Sequence, residues 1–265
     1  MLQPLVQDIA GVAYTLDSRC RSDLHSGAIN DERQYVAALA TRIRDYWRCR
    51  GLQTHLYAQA LPSTQEKLLG CDAAIVLRVE AGVKVGLFEA KWPRFLSSGY
   101  AWDYRQVTTG LSHFSSQLSR QTRVASHVAV WELFMLEACP GQYHVGLDSW
   151  GATCLWHSEA TLFDSTRANP QALWSQSEAR ALAQSVKRHG KHLGTCVRRL
   201  AECTAGLPAQ VIDGQVPVTT WDGQTLSLPV DVASIHDAAP AAARALGLSV
   251  ILYADLRESG VPPPV

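Results

Sequence analysis

The chain has 265 residues, of which 47% are hydrophobic and 18% charged, a composition that excludes a disordered, collagen-like or coiled-coil protein. The 24 basic and 24 acidic residues balance overall, but residues 1–200 hold 22 Lys/Arg against 17 Asp/Glu, and residues 201–265 hold 2 against 7. No apolar stretch approaches the about 20 residues of a membrane helix, and the seven cysteines form no CxxC pair, which favours a reduced, cytoplasmic setting.

The first 60 residues predict two helices and a strand. Mixed apolar and polar residues at 4–16 predict a short helix. Apolar residues near every fourth position from Tyr35 to Trp47 predict a second helix over residues 31–47, with Asn30 and Asp31 as caps. The alternating stretch at 52–59 predicts a strand.

The next segment predicts a β-hairpin followed by a helix and a buried strand. Two apolar runs, 73–79 and 83–88, flank a turn at Glu80-Ala81-Gly82. A helix is expected over residues 101–121, and a long β-branched run predicts a buried strand over residues 124–135. A strand, a helix and another strand permit a parallel crossover.

The second half predicts a similar mixture of elements. Short strands are expected at 143–147 and 152–156, and a helical region at 171–203. Beyond Pro208 the chain shows a β pattern at 210–230, an alanine-rich helix at 238–246 and a strand at 248–256. The fold class is therefore α/β, with a mixed central β-sheet flanked by helices and a C-terminal β-rich extension.

Charged residues converge at one end of the predicted hairpin. With the turn centred between Ala81 and Gly82, Asp72 faces Lys91 and Ala74 faces Glu89. Side chains alternate along a strand and cross-strand partners share a face, so Asp72, Glu89 and Lys91 are expected on the same face. A one-residue change of register would separate Asp72 from the other two.

This combination suits metal-assisted phosphoryl chemistry. Two neighbouring carboxylates are costly to ionise together unless a cation lies between them. Mg²⁺ prefers oxygen ligands and leaves positions open for phosphate oxygens, and a bound metal lowers the pKa of its water. A lysine beside the metal can orient or deprotonate the attacking water and offset transition-state charge. The alternative interpretation is a salt-bridged, exposed end of an ordinary hairpin.

The residues Asp72 and Glu89-Ala90-Lys91 resemble the motif of the PD-(D/E)XK nuclease superfamily, whose fold is restriction-endonuclease-like. The resemblance covers about residues 30–136, and Cys71 stands where the motif name has proline. It implies that Asp72, Glu89 and the carbonyl of Ala90 bind Mg²⁺ and that Lys91 assists the water. It also implies an auxiliary carboxylate on the preceding helix and a glutamine on the following one. The matching residues are Glu32 for the carboxylate and Gln106 or Gln117, which lie 11 positions apart on one predicted helical face.

Basic residues outside the motif are candidate phosphate contacts, although a solvated surface explains them equally well. They lie on the helix after the motif and in the run KRHGKH: Arg120, Arg123, Lys187, Arg188 and Lys191.

We expect a nuclease-like domain over residues 1–204 and, from the β pattern, a β-rich extension over 205–265 that packs on it or forms an accessory lobe. The implied activity is Mg²⁺-dependent hydrolysis of nucleic-acid phosphodiester bonds, with Mn²⁺ as a substitute metal and DNA favoured over RNA. The alternative is a catalytically silent module of the same fold that binds nucleic acid or a protein. A homodimer is left open, and no membrane partner is expected.

Overall fold

The computed structural model describes residues 2–58, 68–93, 102–107, 109–136, 151–169, 172–185, 192–230 and 235–257. This part of the chain forms seven helices and eight strands. The helices are α1 (Leu2–Ser26), α2 (Glu32–Cys49), α3 (His113–Ala125), α4 (His157–Ser165), α5 (Gln176–Ser185), α6 (Leu193–Ala201) and α7 (Ile235–Leu246). The strands are β1 (Gln53–Ala58), β2 (Ala73–Val79), β3 (Gly82–Lys91), β4 (Ala129–Phe134), β5 (Thr153–Trp156), β6 (Gln215–Thr219), β7 (Thr225–Pro229) and β8 (Val250–Asp255).

Six strands form one mixed sheet in the order β1-β8-β2-β3-β4-β5. The β2–β3 hairpin is antiparallel, and α3 crosses over to place β4 parallel to β3. Strand β8 runs parallel to β2 and antiparallel to β1, so the last strand lies between two of the earliest. The predicted mixed α/β architecture is confirmed at this level. The strands β6 and β7 form a separate two-stranded sheet.

Helices cover both faces of the large sheet, which explains why its central strands are apolar on both sides. Odd residues of β2, such as Ile75, pack with α1, α2 and α6. Even residues, such as Val76, pack with α7, the β6–β7 sheet and the C-terminal end of α3. Asp72, which precedes β2, and Glu89 and Lys91, at the end of β3, lie on this second face just past the N-terminal end of β2. The site therefore lies where the apolar layer gives way to the N-terminal half of α3.

The predicted hairpin register is wrong by two residues. Ala73 pairs with Phe88 and Val79 pairs with Gly82, so the turn is the two-residue Glu80-Ala81. Gly82 has a φ of +124°, a conformation that glycine adopts without a side-chain clash and that allows this tight turn. A shift of two residues preserves the side-chain alternation, and the predicted common face is retained.

Several predicted boundaries are also wrong. The helix expected over 101–121 begins only at His113, because residues 102–107 and 109–112 are not helical and Gly110 has a φ of +69°. It then runs to Ala125, so β4 is shorter than predicted. Helix α1 is longer than residues 4–16, the described part of the 171–203 region forms α5 and α6, and α4 was not predicted. The strand expected at 143–147 lies outside the described residues.

The C-terminal segment is not confined to the small sheet. Strands β6 and β7 pack on the large sheet through Val216, Val218 and Leu228, and β8 is one of its internal strands. The boundary near residue 205 stays a prediction, but any unit that ends there shares its central sheet with the later residues. Among the described residues, no helix is long and apolar enough to cross a bilayer.

Candidate active site

Asp72 lies immediately before β2 and is fixed by its neighbours on both sides. Its backbone N–H donates to the Phe88 carbonyl at 2.9 Å, and its carbonyl accepts from the N–H of Ser249 at 2.7 Å. Its side-chain Oδ2 accepts from the Ala90 N–H at 2.9 Å. Continued past Ala73, the observed register places Asp72 opposite Glu89 rather than opposite Lys91.

Glu89 and Lys91 lie on the same face of β3 and form a buried ion pair. Lys91 Nζ donates to Glu89 Oε1 at 2.5 Å, and the side chains are only 9% and 6% exposed, respectively. Gln117 Nε2, from the second turn of α3, donates to the same oxygen at 2.6 Å. Glu89 is therefore held by both its own strand and the crossover helix.

Glu32 reaches the same region from α2. The helix begins there because the Asp31 side chain caps it by accepting from the Gln34 N–H at 2.7 Å. Glu32 Oε1 accepts from the Trp92 N–H at 2.6 Å, just beyond Lys91. The structure thus brings together five of the predicted residues: Glu32, Asp72, Glu89, Lys91 and Gln117.

The cluster holds more carboxyl groups than cations. Burial, and then the charge of Glu89, raises the pKa of Asp72 well above its usual value, although Lys91 opposes this. Burial also raises the pKa of Glu32, again against the effect of Lys91. Burial alone would lower the pKa of Lys91, but Glu89, Glu32 and Asp72 outweigh it and raise this pKa. Lys91 is therefore a permanent cation among at least three carboxyl groups.

A further carboxyl group beside Glu89 was missed from the sequence. Glu132 on β4 is the parallel partner of Glu89, and it is completely buried. Neither of its oxygens has a hydrogen-bond partner among the described residues, and His157 Nδ1 lies 4.0 Å from Oε1. Burial first, and then the charge of Glu89, raises the pKa of Glu132 to about 8. The sequence did contain a signal for it, because an acidic residue within the apolar run VWELFM indicates a buried carboxyl group.

His157 supplies little positive charge to Glu132 near neutral pH, because burial lowers the pKa of this imidazole to about 4. Its Nδ1 lies 3.1 Å from Gln121 Oε1, and its Nε2 lies 3.1 Å from the Thr122 and Thr161 hydroxyls. Gln121 Nε2 donates to the Gly70 carbonyl at 2.6 Å. This network ties α3 and α4 to the residues just before Asp72.

Gly70 allows the same segment to approach α3 closely. It has a φ of +69°, and a Cβ there would lie 3.2 Å from the Gln117 carbonyl oxygen. A side chain would therefore be strained by its backbone and crowded by the helix. Glycine at this position keeps Asp72 next to the helix that holds Glu89.

The prediction that Gln106 and Gln117 share a helical face is wrong. Gln106 lies in the loop before α3, where its Oε1 accepts from the Thr109 hydroxyl at 3.1 Å. Of the two candidate glutamines, the structure therefore places only Gln117 on Glu89.

The candidate phosphate contacts divide into three groups. Arg120 lies three residues after Gln117 on α3, and a Cβ at Gly70 would lie 3.7 Å from its Nε. Burial lowers its pKa, whereas the charge of Glu89 raises it. Arg123 is exposed, and its Nη1 donates to the Trp221 carbonyl at 3.5 Å near the tip of the β6–β7 hairpin. Lys187, Arg188 and Lys191 belong to a segment that the structure does not describe.

The carboxyl groups of the cluster are suitable oxygen ligands for a hard cation, but they are not arranged around a common point. No group of three or more His, Cys, Asp or Glu residues in the described ranges is arranged to hold a metal ion. The donors nevertheless fit Mg²⁺ in kind: they are carboxyl oxygens that outnumber the neighbouring cation, and Glu132 adds a buried acid whose oxygens accept no hydrogen bond among the described residues. Because a residue's N–H and C=O point to the same side of a strand, the Ala90 carbonyl also points towards Asp72.

Comparisons with known proteins add no relative. No protein-family model, curated protein or solved structure matches the chain.

Proposed function

We propose that the protein is a Mg²⁺-dependent nuclease with a restriction-endonuclease-like core that hydrolyses phosphodiester bonds, with DNA favoured over RNA. One observation carries the proposal: Asp72, Glu89 and Lys91 lie together at one end of the β2–β3 hairpin, beside Glu32. The element order α2, β1, β2, β3, α3, β4 agrees with the resemblance noted in the sequence. The preference for DNA rests on that resemblance.

The residues that would hold the metal are Asp72, Glu89 and the Ala90 carbonyl, with Glu32 as an auxiliary carboxylate. A bound Mg²⁺, or Mn²⁺ in its place, would supply Lewis-acid activation of the phosphate and a more acidic water. Glu89 has one oxygen engaged by Lys91 and Gln117. Gln117 therefore orients Glu89 and leaves its second oxygen for another ligand.

Lys91 would act as a cation beside the phosphate. In the metal-free protein Glu89, Glu32 and Asp72 raise its pKa against the effect of burial, which keeps the ammonium protonated at neutral pH. It can donate a hydrogen bond to the attacking water or to a phosphate oxygen. In this buried position its charge would offset the negative charge that develops on the phosphorane oxygens.

A catalytically silent module that binds nucleic acid or a protein is the second candidate. The observation that favours it is the absence, among the described residues, of three ligands arranged around a common point. In that case the Lys91–Glu89 pair would be a purely structural contact.

The test is a cleavage assay on supercoiled plasmid, linear duplex DNA, single-stranded DNA and RNA, each with Mg²⁺, Mn²⁺ or EDTA. We expect metal-dependent cleavage that falls by about 100-fold or more in Asp72→Asn and Lys91→Ala. Glu80→Gln, an exposed carboxyl at the far end of the same hairpin, is the matched control and should cut normally. Thermal unfolding of each variant would confirm that it is folded.

Two results would contradict the proposal in different ways. A parent protein that cuts no substrate with either metal would favour the silent module. Folded Asp72→Asn and Lys91→Ala variants that cut as fast as the parent would show that the activity belongs to another site.

A further inference from the structure

A pair of stacked rings lies at the N-terminal end of α3, on the solvent side. The rings of Tyr104 and His113 have centroids 4.3 Å apart and planes 18° from parallel. Tyr104 is 56% exposed, although it is a large aromatic residue. Neither the fold nor the proposed cleavage chemistry requires an aromatic ring to be exposed at this position.

The loop that carries Tyr104 is held firmly in place. The buried carboxylate of Asp103 accepts from the Tyr104 N–H at 2.9 Å, the Ser112 hydroxyl at 2.6 Å and the Phe114 N–H at 3.0 Å. It also accepts from the Trp174 N–H at 2.9 Å. The loop and the start of the helix thus share one anchor, and little ordering entropy remains to oppose binding at the exposed ring.

The ring pair lies next to the carboxyl cluster. His113 and Gln117 are four residues apart on α3, which places them on the same side of the helix at about 6 Å along its axis. Gln117 donates directly to Glu89. The His113 ring therefore lies about one helical turn from the side chain that holds Glu89, and a group stacked on the outer face of Tyr104 would lie further out on the same side.

Positive charge borders the same surface. Arg105 follows Tyr104 and is exposed. Arg120 lies three residues beyond Gln117 on the same side of α3, and its Nη1 donates to the Ser116 hydroxyl at 3.1 Å. Its buried Nε has no hydrogen-bond partner among the described residues. An exposed aromatic ring with arginines on the same loop and the same helix side is a combination that binds single-stranded nucleic acid, through base stacking and phosphate contacts.

We propose that the outer face of Tyr104 stacks on an unpaired nucleobase, so that the preferred substrate is single-stranded or locally unpaired nucleic acid. This inference rests on the proposed function, because it assigns a substrate class to the same site. In a duplex both faces of each base are covered by neighbouring bases, whereas an unpaired base offers a free face to a protein ring. The stack accepts the bases of DNA and RNA alike.

The test measures binding without cleavage. Fluorescence anisotropy in EDTA would give affinities for a labelled single-stranded DNA, the same sequence as RNA, and its duplex. We expect Tyr104→Ala to weaken single-strand binding by about 5-fold to about 100-fold, with duplex binding unchanged. Tyr104→Phe should bind as the parent does, and Tyr104→Leu, which retains apolar bulk but no ring, should show the loss even if the alanine variant folds poorly. Val107→Ala, a fully exposed position in the same loop, is the control and should change neither affinity.

An oligonucleotide with a single abasic site provides an independent check. A series of oligonucleotides would carry the abasic site at successive positions. At one position the missing base should weaken binding to the parent, and at that position it should not change binding to Tyr104→Ala. Unchanged single-strand binding in Tyr104→Ala and Tyr104→Leu would overturn the inference. So would an equal loss of duplex binding, or a parent that binds single strands no more tightly than duplex.

These outcomes are separate from those of the cleavage assay. A protein that loses single-strand binding in Tyr104→Ala but cuts nothing supports the stacking site and contradicts the nuclease. A protein that cuts through Asp72 but binds single strands equally well without the Tyr104 ring supports the nuclease and contradicts the stacking site.

Discussion

Glu132→Gln is expected to stabilise the protein by an amount that increases with pH. The side chain is completely buried, and burial and Glu89 raise its pKa from the ordinary 4.5 to about 8. The folded protein thus keeps this proton up to about pH 8, whereas the unfolded chain releases it near pH 4.5. Between these values the folded state binds more protons, so the acid makes folding less favourable as the pH rises. Glutamine has nearly the same shape and carries no charge, so it removes this cost.

The magnitude follows from the pKa difference. Each pH unit within the window is worth about 1.4 kcal/mol, so the advantage of Glu132→Gln should grow by about 4 kcal/mol between pH 5 and pH 8. Urea unfolding of parent and variant at pH 5, 6, 7 and 8, in EDTA, would measure it. Glu80→Gln, which removes an exposed carboxyl at the far end of the β2–β3 hairpin, is the matched control variant and is unfolded at the same pH values. A difference between parent and Glu132→Gln that stays constant across these pH values would refute the reasoning.

Two further predictions concern the packing that supports the sheet. Asp17→Ala should lower the free energy of unfolding, measured with urea, by about 2–5 kcal/mol. The reason is that the buried carboxylate accepts from the Tyr35 hydroxyl at 2.5 Å and from the Ala152 N–H at 2.6 Å. An unchanged free energy of unfolding would show that other groups replace these hydrogen bonds. Gly86→Ala should lower the melting temperature through a loss of about 1–3 kcal/mol, since a Cβ there would lie 2.5 Å from a ring carbon of Trp131. An unchanged melting temperature would mean that the indole moves aside at no cost.

The common face of the motif residues was predictable from the sequence, but their pairing was not. Side-chain alternation requires Glu89 and Lys91 to share a face whatever the turn, and any even change of register keeps Asp72 with them. The pairing depends on whether the turn has two residues, and this depends on Gly82 adopting a positive φ. The sequence offers several turn positions around Gly82, so the expected pair Asp72–Lys91 was wrong while the predicted face was right.

Long-range contacts explain the other differences. The start of α3 is fixed by Asp103, which also binds the N–H of Trp174, 71 residues further along the chain. Local periodicity cannot reveal an anchor of this kind, so the helix was placed too early and Gln106 was assigned to it. The position of β8 is set in the same way, by partners about 180 residues away in β2, and strand order is not encoded in the pattern of a single strand.

The insertion of β8 has a consequence for synthesis on the ribosome. Strand β1 pairs with β8, and β8 pairs with β2, so the sheet lacks the strand that joins β1 to β2 until residues 250–255 have left the exit tunnel. The hydrogen bond from the Ser249 N–H to the Asp72 carbonyl also cannot form before then. Pairings this distant in sequence form slowly, and a nascent chain leaves two strand edges open in the meantime. The end of the hairpin that carries Asp72, Glu89 and Lys91 is therefore completed late in translation. A chain truncated before residue 249 would contain these three residues but would lack β8, which pairs with β2.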